Sequence, residues 1–282
     1  MPAVAMTCET LLIESRGAVD IVSLNRPDVL NAINPLMAEE LAAYFGGLVA
    51  RLGTRVVVLR GVGRAFCAGA DLGSASFAAP GDARPQRQMA IQLLYSGIIR
   101  QMRRCPQPVI GLVHGAAVGA GFSIALACDV RYATPAARLQ AAYLRRGLGG
   151  CDMGSGYLLP RLVGLSTASE FLLSGRFIDA ERARAIGLVS AVVAEDRLLD
   201  VGLELAADML LASPMGLRMT KETLNAQIDA SSLEAGLTLE GKVQIQKGIQ
   251  GGERVVTEGG YSLPDGAQVQ LPGEKPEGDK KK

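Results

Sequence analysis

Two short runs of small residues, Ala68-Gly69-Ala70 and Gly119-Ala120-Gly121, are the first places where this chain could do chemistry. Backbone N–H groups approach a ligand closely only where side chains are small. The second run also opens a stretch, Gly121 to Cys128, that reads as a helix, and the N-terminal end of a helix favours an anion. The same small residues would equally allow a helix to pack tightly on a strand, so they gain weight only with their neighbours. Side chains able to carry protons are sparse around them. His114 is the only histidine, which excludes multi-histidine metal sites, and it reads as a hydrogen-bonded structural group after a buried strand. No lysine precedes Lys221, and GxxxxGK[ST] is missing, so no phosphate-binding P-loop is encoded. Asp71 directly follows the first run, and Asp152 lies further along the chain in GLGGCDMG.

The elements that must hold these residues can be read from periodicity. Gly17 to Leu24 (GAVDIVSL) alternates and predicts a strand. Asn34-Pro35 opens an amphipathic helix, with asparagine as cap and proline in the first turn, and Gly53 stops it. Arg55 to Arg60 and Pro108 to Val113 read as buried parallel strands. Gly73 to Pro85 is a loop by composition, followed by a helix over roughly Gln86 to Arg103. Val130 to Ala133 reads as a further strand. From Ser166 to about Gln227 the pattern is mainly helical, with Gly175 and Gly187 where helices should end. Strands alternating with helices imply an α/β layer architecture.

Composition narrows the function. The 282 residues suffice for one large domain or two small ones, with 49% hydrophobic and 20% charged residues. Lysine plus arginine number 29 against 28 acidic residues, a net charge of +1, which offers no footprint for nucleic acid or an anionic membrane. The five cysteines are scattered and form no CxxC pair, which argues for a reducing compartment and against a disulfide framework or zinc site. No signal peptide is visible, and the apolar run from Leu112 to Cys128 is too short to span a membrane. A cytoplasmic protein is expected.

Three segments in order carry a more specific message: LNRPDVLN (Leu24 to Asn31), GVGRAFCAGADL (Gly61 to Leu72) and HGAAVGAGFSIALACD (His114 to Asp129). With GLGGCDMGSGYLLPRLVG (Gly147 to Gly164) and LLSGRFIDAERARAIGLVSAVV (Leu172 to Val193), they resemble the crotonase, or enoyl-CoA hydratase/isomerase, family over roughly Leu11 to Glu240. The resemblance implies an α/β fold of repeated ββα units wound into a superhelix, with a C-terminal helical trimerisation region. It implies an acyl-CoA thioester as partner, bound by a homotrimer or hexamer, and no metal or redox cofactor, since coenzyme A arrives with the substrate. The N–H groups of Ala70 and Ala120 would be the oxyanion donors for the enolate, and losing one such donor costs ~3–4 kcal/mol in comparable sites. Asp71 would orient the loop after the first donor. Ala32, Ala68, Gly69, Leu72, Gly121, Ser123 and Tyr143 would lie along the substrate site.

The chain departs from the family at the acid–base positions. Hydratases of the family use two glutamates, and the matching residues here are Ser123 and Tyr143, both poor general bases near neutral pH. Asp152 is the replacement, within one residue of the position where dienoyl-CoA isomerases and a CoA-dependent dehalogenase of the family carry a working aspartate; its alternative role is to cap the following turn. Isomerisation of a double bond needs one proton carrier and is expected over two-glutamate hydration, the alternative being an acyl-CoA-binding protein without turnover. Val29 replaces a basic residue that often meets a CoA phosphate. Arg145 and Arg146 could meet phosphates but read more readily as a solvated face.

Two rival motifs fail. Gly115, Gly119 and Gly121 form the GxxxGxG of short-chain dehydrogenases, but too late in the chain, and Tyr157 is followed by Arg161 instead of lysine. Gly121 to Ala125 resembles a nucleophile elbow around Ser123, but His114 precedes the serine, against that fold's order.

The expected organisation is an α/β core over 1–195, a helical region over 196–242, a β-rich extension over 243–271 and a disordered tail over 272–282. Within the extension, Gly252 to Val269 resembles the C-terminal segment of efflux-pump periplasmic adaptors.

Overall fold

In a computed structural model the chain is described over residues 8–73 and 84–238. The elements are β1 (Leu11–Arg16), β2 (Val19–Leu24), α1 (Pro35–Gly47), β3 (Val56–Gly61), α2 (Arg84–Arg104), β4 (Val109–Val113), β5 (Ala116–Val118), α3 (Ala120–Ala127), β6 (Val130–Ala133), β7 (Arg138–Gln140), α4 (Ser155–Val163), α5 (Leu165–Ser174), β8 (Phe177–Asp179), α6 (Ala180–Ala185), β9 (Ala191–Val192), α7 (Leu198–Leu210) and α8 (Pro214–Gln227).

A six-stranded sheet has the order β1-β2-β3-β4-β6-β9, antiparallel only at the β1–β2 edge. A second sheet has the order β5-β7-β8. Isolated bridges join Cys67 to Ala117 and Ile33 to Ala70, which extends this second layer through the loops after β3 and β2. Each long strand is thus followed by a short second-layer segment and then a helix: β2, Ile33, α1; β3, Cys67, α2; β4, β5, α3; β6, β7, α4. These are the expected ββα units.

The strand expected over Gly17 to Leu24 is present as β2, and despite the alternation every residue of it is buried. The reason is that both faces of the sheet are covered. Val22, Leu24, Val57, Leu59, Val109 and Val113 point into one core with α1, α2 and α3. Val19, Ile21, Val56, Val58, Ile110 and Leu112 point into the other, with Leu198 and Ala206 of α7. A Cβ on Gly202 would sit 2.9 Å from Leu112, so glycine lets α7 lie close against β4.

Asn34 caps α1 through its side chain, which accepts from the Met37 N–H at 2.9 Å. Gly175 (φ +60°) ends α5 in the left-handed conformation. The stretch expected to be mainly helical also contains β8 and β9, which are only three and two residues long. The loop expected over 73–85, from residue 74 to 83, and the extension and tail over 243–282 lie outside the described residues.

Candidate active site

The loops after β2 and β3 are knitted together by one side chain. Asn31, fully buried, accepts from the Arg26 N–H and donates to the carbonyls of Val62 and Ala65 at 2.9 and 2.8 Å. Leu30 and Asn31 both hold positive φ, a conformation disfavoured by ~1–2 kcal/mol per residue outside glycine, which these bonds offset. Arg26 then reaches across to the Ala32 carbonyl and to Asp71 at 2.9 Å.

This scaffold aims the Ala70 amide. Ile33 N–H donates to the Gly69 carbonyl at 2.7 Å and Asp71 N–H to the Ile33 carbonyl at 2.8 Å. In a parallel bridge of that pattern the intervening Ala70 N–H points away from Ile33, toward the β5–α3 side. There Ala120 begins α3, so its own N–H has no carbonyl one turn earlier within the helix. The two segments touch at glycines. A Cβ on Gly69 (φ +103°) would lie 2.7 Å from the Val118 carbonyl, and one on Gly121 only 2.3 Å from the Cys67 carbonyl. Gly119 (φ +54°, ψ −117°) makes the turn into the helix.

Both amides border a cavity of about 380 Å³. Ile91, Tyr95, Leu148 and Phe177 give it apolar and aromatic walls, and Asp152 is its only carboxylate among the described residues. Asp152 is half-buried, and its Oδ1 accepts from the Met153 N–H at 2.7 Å and from the Gln92 amide of α2. Met153 holds φ +45°, and its side chain also lines the cavity. The Asp152 carbonyl accepts from the Ser155 N–H at 2.9 Å, so the residue also supports the turn into α4.

Tyr143 lies on the wall and Ser123 lies behind it, fully buried. Their hydroxyl oxygens are 2.5 Å apart, and Tyr143 Oη donates to the Gly119 carbonyl at 2.8 Å. Burial pushes the Tyr143 phenol well above its usual value, with the Ser123 hydrogen bond opposing, so the group is a neutral donor and not a base. Burial likewise raises Tyr95, whose hydroxyl donates to the Ile33 carbonyl.

Of the residues expected along the site, Ala68, Gly69, Ala70, Leu72, Ala120, Tyr143 and Asp152 share this cavity. Ala32, Asp71, Gly121 and Ser123 do not reach its wall: they hold the backbone that does. Ala32 and Asp71 are both bonded to Arg26, Gly121 packs on Cys67, and Ser123 meets Tyr143. His114 is buried with Nε2 2.9 Å from the Gly63 carbonyl. Arg145 and Arg146 sit exposed at the cavity rim with no ion pair among the described residues. Sequence reasoning missed Arg26, Asn31, Gln92 and Tyr95. The last two sit on the cavity side of α2, and a tyrosine and glutamine three residues apart in an otherwise apolar stripe were the available signal. Among the described residues no group of His, Cys, Asp or Glu is placed to hold a metal, and no helix is long and apolar enough to cross a membrane.

Comparison with known proteins gives this geometry a context. A probable enoyl-CoA hydratase of Mycobacterium leprae (strain TN) is 39% identical over 250 residues, spanning 87% of this chain and 84% of the relative. The 1,2-epoxyphenylacetyl-CoA isomerase of Escherichia coli (strain K12) is 33% identical, spanning 82% of this chain and 87% of the relative. The crystal structure of a monofunctional enoyl-CoA isomerase from M. smegmatis superposes with a TM-score of 0.68 at 38% identity, covering 81% of this chain and 98% of that one. The enoyl-CoA hydratase/isomerase family model matches residues 14–254, and the chain therefore belongs to the enoyl-CoA hydratase/isomerase family of lyases and isomerases.

Proposed function

We propose that this protein isomerises the double bond of an enoyl-CoA thioester through an enolate. The observation that carries this reading is a cavity whose described lining has one carboxylate, Asp152, together with Ala70 and Ala120, while Ser123 and Tyr143, which by resemblance match the hydratase glutamates, are a bonded pair of hydroxyls. Asp152 Oδ1 is held by Met153 and Gln92, and Oδ2 has no hydrogen-bond partner among the described residues. Oδ2 removes a proton from the α-carbon of a 3-enoyl thioester. The electron pair moves onto the thioester oxygen, where the Ala70 and Ala120 N–H groups stabilise it. Return of the electrons shifts the double bond into conjugation, and Asp152 delivers the proton to the γ-carbon. One carboxylate serves both transfers, so no second base and no metal or redox cofactor is needed. Coenzyme A is part of the substrate, running past Ala68 toward Ala32, with Arg145 and Arg146 as the cations nearest its phosphates.

Supplied with a 3-enoyl-CoA, the protein should form the conjugated 2-enoyl-CoA, seen as growth of the conjugated thioester absorbance. Release of 3-hydroxyacyl-CoA as the main product from a 2-enoyl-CoA would refute the isomerase reading. A second reading, an acyl-CoA-binding protein without turnover, is favoured by the turn bond in which the Met153 N–H donates to Asp152 Oδ1. Binding of both thioesters with no conversion would support it. We further propose a cytoplasmic homotrimer or hexamer. Free cysteines suit a reducing compartment, and Leu165, Leu173 and Leu211 offer exposed apolar contacts.

A further inference from the structure

We infer that Tyr143 and Ser123 form a donor chain that orients and polarises the Gly119–Ala120 peptide, making Tyr143 a positioning residue for the Ala120 N–H. The inference rests on the oxyanion reading above and deepens it.

The Gly119 carbonyl and the Ala120 N–H belong to one planar peptide unit and point in opposite directions. The carbonyl receives two donors, the Ser123 N–H at 3.0 Å and the Tyr143 hydroxyl at 2.8 Å, so both its lone pairs are engaged. With the carbonyl pinned, the plane cannot rotate, and the N–H at its other end keeps its direction. The carbonyl has no proton to give, so the Tyr143 proton lies on this bond. The proton between Ser123 Oγ and Tyr143 Oη then belongs to serine. The opposite order would send the serine proton to the Asp152 carbonyl at 3.3 Å and leave the 2.8 Å contact without one, exchanging a good bond for a weak one.

Serine O–H, tyrosine O–H and peptide dipole therefore align head to tail. Donors on a carbonyl make its amide N–H more acidic, and aligned bonds in a dry site strengthen one another. Tyr143 is almost wholly buried, which limits the access of water to the bond. An ionised glutamate at position 143 accepts only and could not make this contact. The replacement thus exchanges a proton carrier for a device acting through the backbone.

The test is carbonyl-labelled crotonyl-CoA bound to the protein and to Tyr143→Phe and Ser123→Ala, read by isotope-edited vibrational difference spectroscopy with kinetics in parallel. In the parent protein the thioester C=O band should move to lower frequency on binding. In Tyr143→Phe at least half of that shift should vanish, with kcat down about tenfold or more and KM within about twofold. Ser123→Ala should give a smaller loss of the same kind. Should the phenylalanine variant fold poorly, a fluorotyrosine at 143 keeps the ring and strengthens the donor, and the downshift should increase. A parent band that moves but is unchanged by either substitution at 143 would overturn this inference alone. A parent band that does not move on binding would overturn the oxyanion reading together with it.

Discussion

Gly121→Ala is the substitution whose consequence can be worked furthest from the structure. The added Cβ would lie 2.3 Å from the Cys67 carbonyl oxygen, 2.7 Å from the Cys67 Cβ and 2.9 Å from the Cys67 carbonyl carbon. Ordinary contact begins near 3.4 Å, so the two segments must separate by 3.4 − 2.3, about 1.1 Å. None of the opposing atoms is the end of a flexible side chain, and Cys67 is fully buried, so α3 and the loop after β3 must move as bodies. Overpacking of this kind costs about 1–3 kcal/mol. At about 2–4 °C per kcal/mol for a chain of this order of size, Tm should fall by about 5 °C. The functional loss should be larger, because Ala70 and Ala120 ride on the separated segments. A misplacement of about 1 Å can remove a factor of roughly 100 in rate. Isomerase assays and thermal melts on Gly121→Ala, with Gly53→Ala as control in open space, measure both. Parent-like activity and Tm in Gly121→Ala would refute the claim that this contact sets the spacing of the two amides.

Further outcomes follow from buried polar groups. Lys221 is 4% exposed and binds Asp129 at 2.8 Å and the carbonyls of Met102 and Gln107. Lys221→Met leaves Asp129 with Arg103 alone as its cation, and should lower stability by about 3 kcal/mol, read as a lower urea midpoint at unchanged slope. Burial pushes the thiols of Cys67 and Cys128 up to about 12, against about 8.5 in an unfolded chain. The unfolded thiols ionise first, so stability should hold below about pH 8.5 and decline as pH rises toward 12, as denaturant titrations at successive pH values would show. For the same reason, alkylation in the native state at pH 8 should label exposed Cys151 and spare Cys67 and Cys128; prompt labelling of either buried thiol would contradict the packing described.

The long elements were legible because their signals are local. Asn34-Pro35 announced α1, and the Val-rich run before Gly61 announced β3, since both depend on neighbours within a few residues. β1, β5, β7, β8 and β9 were not foreseen. Four of the five are two or three residues long and the fifth, β1, lies at a sheet edge; β5, β7 and β8 exist because each pairs with a distant segment. The site divides the same way. Ala70 and Ala120 stood out because small residues flank them, whereas the direction of their amides depends on Ile33, Arg26 and Asn31, contacts that no spacing reveals. Ser123 and Tyr143 were read as lost bases, and only the distances turn them into a bonded pair. Gln92 reaches Asp152 from a helix 60 residues away in sequence, a contact invisible to pattern.

The central claim is that Asp152 moves a proton on a carbon whose enolate the two amides stabilise. Incubating the protein with butyryl-CoA and with a 3-enoyl-CoA in D2O, and reading deuterium by mass spectrometry, tests it directly. Deuterium should appear at the α-carbon of butyryl-CoA, the 3-enoyl-CoA should give isomerised product, and both should fall by at least about a hundredfold in Asp152→Asn. Exchange and isomerisation at parent rates in a folded Asp152→Asn protein would contradict it.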